Sequence, residues 1–247
     1  MALYYYLKSE VKPIGRQSGQ ILRLPFISRR ALRLTSLFFF SFGIGLLSWL
    51  VWPFLEWRLI YAPRFTDVEI MRPLPSRTER GAVAGVATED LAYARNWFPQ
   101  ASPQTVPPDS IKNYTLSIPK LKIEDAVALV GGEDLSKSLI HYGGTALPGR
   151  NGTAVIFGHS VLPQFFNPKS YMTIFSTIHT LKKGDRIVVK VDDVEYKYKI
   201  FGFEIVDPSN TSFLQQKYDN AYLYLITCTP PGTYLKRLVV KAKLESL

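Results

Sequence analysis

The chain of 247 residues holds one cysteine, Cys228, and three histidines, His141, His159 and His179. One thiol closes no intramolecular disulfide and builds no all-cysteine zinc site. The four side chains are too scattered to suggest a four-ligand centre, so no metal and no cofactor are expected. A lone thiol can still be a nucleophile if a nearby base or cation favours the thiolate. The other reading is a small buried hydrophobe. Cys228 closes the apolar run Tyr222-Leu223-Tyr224-Leu225-Ile226-Thr227 and precedes Thr229-Pro230-Pro231-Gly232, which forces a turn. His159 follows a second apolar run, Ala154-Val155-Ile156-Phe157, across Gly158, whose missing side chain leaves space for another group. Arg237, nine residues after Cys228, opens a further strand-like run that the Pro230–Tyr234 turn could return beside the thiol. Its guanidinium would face a developing oxyanion or hold a substrate carbonyl; Lys236 is the rival cation.

These side chains need a scaffold. Alternating or apolar segments occur at Tyr114–Ile118, Ala126–Val130, Gly152–Gly158, Arg186–Val191, Val194–Ile200, Ala221–Thr227 and Leu238–Leu244, with Asp192-Asp193 as a turn. Brief helical pieces are expected at Leu135–Ile140 and Tyr171–His179. The sequence predicts a mainly β domain over residues 113–247, a barrel or sandwich.

Upstream the chain is asymmetric. Residues 1–33 carry seven basic groups and one acid, a net +6 of the total +10, and residues 34–55 carry no charge. Leu34–Leu55 spans 22 residues, roughly 33 Å as a helix, enough for a bilayer core. Arg29, Arg30 and Arg33 flank its start; Trp49, Trp52 and Trp57 gather toward its end. The positive-inside bias puts the N-terminus in the cytoplasm and the β domain outside, although Arg58, Arg64 and Arg72 follow on the outer side. A cleaved signal peptide fits less well, because the run is long, starts late and lacks a clean small-x-small site. A buried core helix would need polar positions at helical spacing. The basic excess is therefore read as a topology signal, not as a nucleic-acid surface. The organisation expected is a basic tail (1–33), a transmembrane helix (34–56), a proline-punctuated extracellular stalk with little core of its own (57–112), and the β domain (113–247). A short helix capped by Thr88 is expected within the stalk.

Leu225-Ile226-Thr227-Cys228 followed by Arg237 resembles the Thr-Leu-x-Thr-Cys…Arg signature of sortases. Asn151-Gly152-Thr153-Ala154-Val155-Ile156-Phe157-Gly158-His159 is similar to that family's Gly-Asn-x-x-hydrophobic-x-Gly-His segment, and Phe175–Ile187 to its next segment. The similarity covers roughly residues 113–244, in family order. It implies a closed eight-stranded β-barrel and an active site of Cys228, His159 and Arg237, with Leu225 and Thr227 beside the nucleophile as substrate-binding residues. Tyr224 stands where the signature has its first threonine. Thr229-Pro230-Pro231-Gly232 resembles the Thr-Pro-x-Gly of the pilin-polymerising class. No Asp-Pro-aromatic lid is found in residues 56–112, no second transmembrane segment at Leu247, and no calcium-binding acids before His159. His141 is expected in a polar loop and His179 at the surface or in a structural role, both non-catalytic.

The resemblance implies a membrane-anchored cysteine transpeptidase. It would cleave a C-terminal sorting signal of the Leu-Pro-x-Thr-Gly kind through a thioester. It would then pass the surface protein to an amine acceptor, a cell-wall precursor or a pilin lysine. An L,D-transpeptidase is disfavoured, because no Ser-x-Gly-Cys-x-Arg pattern surrounds Cys228. The non-enzymatic alternative is a membrane-tethered β-barrel that binds a peptide or cell-wall ligand, with an inert cysteine.

Overall fold

A computed structural model of the chain describes residues 29–61, 63, 92–98 and 111–245. The basic tail before residue 29, the Thr88 cap, and stalk residues 64–91 and 99–110 lie outside the described residues.

Eight strands form the domain: β1 (Asn113–Ile118), β2 (Ile123–Val130), β3 (Leu139–His141), β4 (Gly152–Phe157), β5 (Arg186–Val191), β6 (Val194–Val206), β7 (Ala221–Thr229) and β8 (Lys236–Leu244). They close into a barrel in the order β1-β2-β3-β4-β7-β8-β6-β5. Between the two expected architectures, the fold is the barrel. The β2–β3 and β4–β7 pairs are parallel and the others antiparallel. Strand pairing leaves no open edge, which removes a template for aggregation.

The burial pattern separates two kinds of wall. β5 alternates, with Ile187, Val189 and Val191 inside and Arg186 and Lys190 in solvent. It joins β6 through Asp192-Asp193, where Asp192 takes φ 51°, the two-residue turn that matches strand twist. By contrast, β4 is buried along its whole length and β7 nearly so. Ala154, Ile156, Leu223 and Leu225 fill the barrel. Val155, Phe157, Tyr224, Ile226 and Cys228 belong to a second apolar layer with Ala94, Trp97 and Phe98. Strands covered on both faces need no polar alternation.

That second layer corrects the stalk expectation. Residues 92–98 contribute a buried Ala94–Trp97 3-10 turn to the barrel's outer face. Tyr93 bridges to Asp134, Ala94 N–H donates to Glu133 O and Leu135 N–H to Ala92 O, both at 2.9 Å. Two other local expectations also change. Leu139-Ile140-His141 is a strand, not the end of a helix, and Tyr171–His179 is a series of turns closed by a 3-10 turn at Ile178–Thr180.

The chain divides into two compact units, Met1–Leu47 and Ser48–Leu247. The helix α1 (Arg29–Glu56) is long and apolar enough to cross a membrane, and it continues as a π-helical turn at Trp57–Tyr61. Trp57 is buried with the barrel core.

Candidate active site

Cys228 and Arg237 are direct partners across the antiparallel β7–β8 ladder. Both side chains point away from the barrel interior, since they alternate with Leu225 and Leu238, which lie in the core. The chain reverses between them through Pro230–Leu235. There Gly232, at φ 78°, lets the turn approach Leu162 so closely that a Cβ would come within 2.8 Å of its side chain.

His159 is delivered by β4. The parallel register pairs Phe157 with Ile226, so two further residues along each chain bring His159 level with Cys228. Three hydrogen bonds lace the intervening backbone. Gly158 N–H donates to Ile226 O at 3.1 Å, Thr227 Oγ1 to Gly158 O at 2.8 Å, and Ser160 Oγ to Cys228 O at 2.9 Å. From the other side, Phe175 N–H donates to His159 O at 2.9 Å. Gly158 is required by closeness: a Cβ there would stand 2.4 Å from the Phe175 ring and 2.8 Å from Leu139.

The three candidate catalytic residues are thus brought together beneath a cover. The Trp97 ring lies 5.8 Å from the His159 ring and 5.7 Å from Phe157. The Arg237 guanidinium lies 5.2 Å from the Trp97 ring centre and 5.7 Å from that of Phe98, within cation–π range. Arg237 Nη2 donates to Trp97 O at 3.2 Å, while Nη1 donates to Tyr234 O at 2.9 Å and Lys236 O at 3.2 Å. Cys228 is 7% exposed and Arg237 2%. His159 Nε2 and Arg237 Nε are buried with no hydrogen-bond partner among the described residues. Such unpaired atoms are costly in a low-dielectric site and favour a ligand that pairs them.

Burial governs the charges. It pushes the Cys228 thiol up, against the downward pull of Arg237. It drives His159 down to about 4, opposed weakly by the Asp134 carboxylate. In this covered state the thiol and imidazole are both predominantly neutral at pH 7.

The other expected residues fall elsewhere. Leu225 is 0% exposed and packs inside the barrel. Thr227 is buried and its hydroxyl is engaged by Gly158 O, so it positions the histidine segment. His141 is not in a polar loop but fully buried at the end of β3. Its Nδ1 lies 2.7 Å from Tyr114 Oη and its Nε2 3.1 Å from Thr145 Oγ1. Thr145 gives its one proton to Tyr142 O at 2.6 Å, so Nε2 donates to Thr145 and Nδ1 accepts from Tyr114. His179 is buried between Trp57 and Tyr61, with ring separations of 5.2 and 4.7 Å. Trp97 was not foreseen; the aromatic pair Trp97-Phe98 amid polar and proline residues was its one local signal.

No group of three or more potential metal ligands occurs among the described residues. The sortase-domain family model matches residues 116–245. Sortase D of Bacillus subtilis (strain 168) is 30% identical over 132 residues, which is 52% of this chain and 61% of that protein. The chain therefore spans less than two thirds of this relative. A Sortase D5 transpeptidase of Clostridium perfringens is similar in structure, with 29% identity, a TM-score of 0.48, and coverage of 56% of this chain and 84% of that one. Sortase C-1 of Actinomyces oris gives 27%, 0.49, 56% and 77%.

Proposed function

This chain belongs to the sortase family, and on that premise we propose that it is a membrane-anchored cysteine transpeptidase with Cys228 as nucleophile. The observation that carries the reading is the convergence of Cys228, Arg237 and His159 on one outward face of the β4–β7–β8 wall. In the proposed reaction the Cys228 thiolate attacks the carbonyl of a Leu-Pro-x-Thr-Gly-like sorting signal. His159 takes the thiol proton and gives it to the departing amine; Arg237 donates to the oxyanion. The resulting thioester is resolved by an amine, from a cell-wall precursor or a pilin lysine, which His159 deprotonates.

The covered state bears on activation. A neutral thiol beside a neutral imidazole is a weak nucleophile, and substrate reaches it only when Trp97 moves off. That movement releases Arg237 Nη2 from Trp97 O and admits water or substrate, which eases ionisation of the Cys–His pair. In this proposal α1 is the anchor, the N-terminus is cytoplasmic and the barrel faces outside. The clients are surface proteins bearing the sorting signal; nucleic acid has no part.

The test is to incubate the protein with a sorting-signal peptide and identify the adduct by mass spectrometry. The expected result is an acyl group of the peptide's N-terminal part on Cys228, released by an added amine. Slow, pH-independent alkylation of Cys228 and no adduct with any such peptide would favour the non-enzymatic binding barrel instead.

A further inference from the structure

The loop that follows His159 touches the apolar helix. Phe165, on the 3-10 turn Pro163–Phe165, packs edge-to-face on Trp49 at 6.3 Å. Yet Phe165 remains 56% exposed. This contact is not incidental to a loose tether, because Trp57 and Tyr61 at the end of the helical segment clamp His179 within the barrel unit.

Counting residues sets the depth. The apolar run begins at Leu34, and a hydrocarbon core of about 30 Å takes about 20 helical residues. Trp49 falls inside that count, short of its outer end. A side chain packed on Trp49 then lies about 6 Å inside the outer edge of the hydrocarbon. The surrounding chemistry agrees. From His159 to Gly184 the chain contains no Asp or Glu, but does contain Lys169, Lys182 and Lys183. Met172 is exposed beside them in sequence. An acid-free segment with exposed apolar tips and flanking lysines suits an anionic lipid surface.

We infer that the loop Val161–Phe166 docks on the bilayer, with Phe165 inserted among the lipids of the outer leaflet. This rests on the proposal that α1 is a membrane anchor. The same loop reaches the site, since Leu162 packs against Gly232 in the turn between Cys228 and Arg237. The rim of the active site is thereby held at the membrane surface.

Nitroxide accessibility in nanodiscs of phosphatidylglycerol and phosphatidylethanolamine tests this on the full chain. Cys228→Ala removes the one native thiol, and single labels are then placed through Phe165→Cys, Leu46→Cys and Tyr218→Cys. Tyr218 is 69% exposed on the barrel and serves as the aqueous reference. The expected result is a label at 165 relaxed more by oxygen than by a water-soluble nickel chelate, as at 46, with the opposite order at 218. Chelate access at 165 equal to that at 218, with 46 still protected, overturns the docking. Chelate access at 46 overturns the anchor reading itself. A label at 165 shielded from both relaxants and broadened by spin–spin coupling means that a second copy, not lipid, covers the loop.

Discussion

Cys228 and Arg237 are nine residues apart in the chain and directly opposite in the β7–β8 ladder. Equal parity on two antiparallel strands puts both side chains on one face, and burial there strengthens the interaction between thiolate and guanidinium. Arg237 is held by three carbonyls, two from its own turn and one from Trp97. Removing the Trp97 contact leaves the fork anchored and frees one arm.

Cys228→Ala abolishes thioester formation, since no other thiol exists. Arg237→Lys keeps the charge but cannot hold Tyr234 O and a substrate oxygen through a planar fork. It is expected to lower the rate by about 10²–10³, near the loss for one oxyanion donor. Single-turnover acylation measures it; near-native activity in Arg237→Lys would mean that only the charge matters.

His159→Ala slows acylation by roughly 10²–10⁴, the range for a lost acid–base group. His141→Ala retains turnover per folded molecule but strands the buried Tyr114 hydroxyl, costing about 1–3 kcal/mol for an unsatisfied group, while Thr145 keeps its bond to Tyr142 O. Urea unfolding alongside acylation separates the two. Loss of acylation in a fully folded His141→Ala protein would overturn the assignment of the base.

Gly158→Ala drives a methyl into Phe175 and Leu139. The expected loss is about 1–3 kcal/mol of stability, as for overpacking, together with slower acylation because His159 is the next residue. A variant of unchanged stability and activity would show that the neighbours yield freely.

Trp97→Ala removes the ring that lies over Arg237 and beside His159. A buried tryptophan contributes about 3–5 kcal/mol of packing, and each 1.4 kcal/mol of opening is a factor of ten. Alkylation of Cys228 should quicken by roughly a hundredfold to a few thousandfold. A fragment starting at residue 111 should behave likewise, because it lacks Ala94, Trp97 and Phe98. Unchanged labelling would mean that Trp97 does not control access.

Stability should fall in mild acid. His141, His159 and His179 are each lowered by burial to about 4, so the unfolded chain binds these protons first. Their contribution is complete above about pH 6.5 and is lost as pH falls toward 4, each on the order of 3 kcal/mol at most. Asp134, held at about 2 chiefly by Lys137 and then Ser136, acts only lower, below its ordinary carboxylate range. His179→Phe keeps ring contacts with Trp57 and Tyr61, and should reduce the slope of the urea midpoint between pH 6.5 and 4 by about a third. An unchanged slope would exclude His179 as a buried neutral group.

Part of this was legible in residue order alone. Alternating β5, the Asp192-Asp193 turn and the apolar β4 and β7 declare themselves because strand and turn preferences are local. So do the 22-residue uncharged run and the placement of Cys228, His159 and Arg237 at strand ends. The three-residue β3 is too short to show a period, and its helical reading failed for that reason.

The tertiary structure decided what depends on distant pairs. The parallel β4–β7 register aligns Phe157 with Ile226, 69 residues later in the sequence, and no local rule fixes that alignment. Parity then turns Leu225 inward and Cys228 outward, while Thr227 binds Gly158 O and His141 is taken by Tyr114 and Thr145. Trp97 comes to lie over Arg237 because burial on the outer face rewards an aromatic pair from a segment whose own sequence reads as linker. Sequence determined which groups could react and which of the longer segments would be strands. Long-range packing determined which of those groups meet, which are buried, and what covers them, because these depend on contacts that close only when the barrel does.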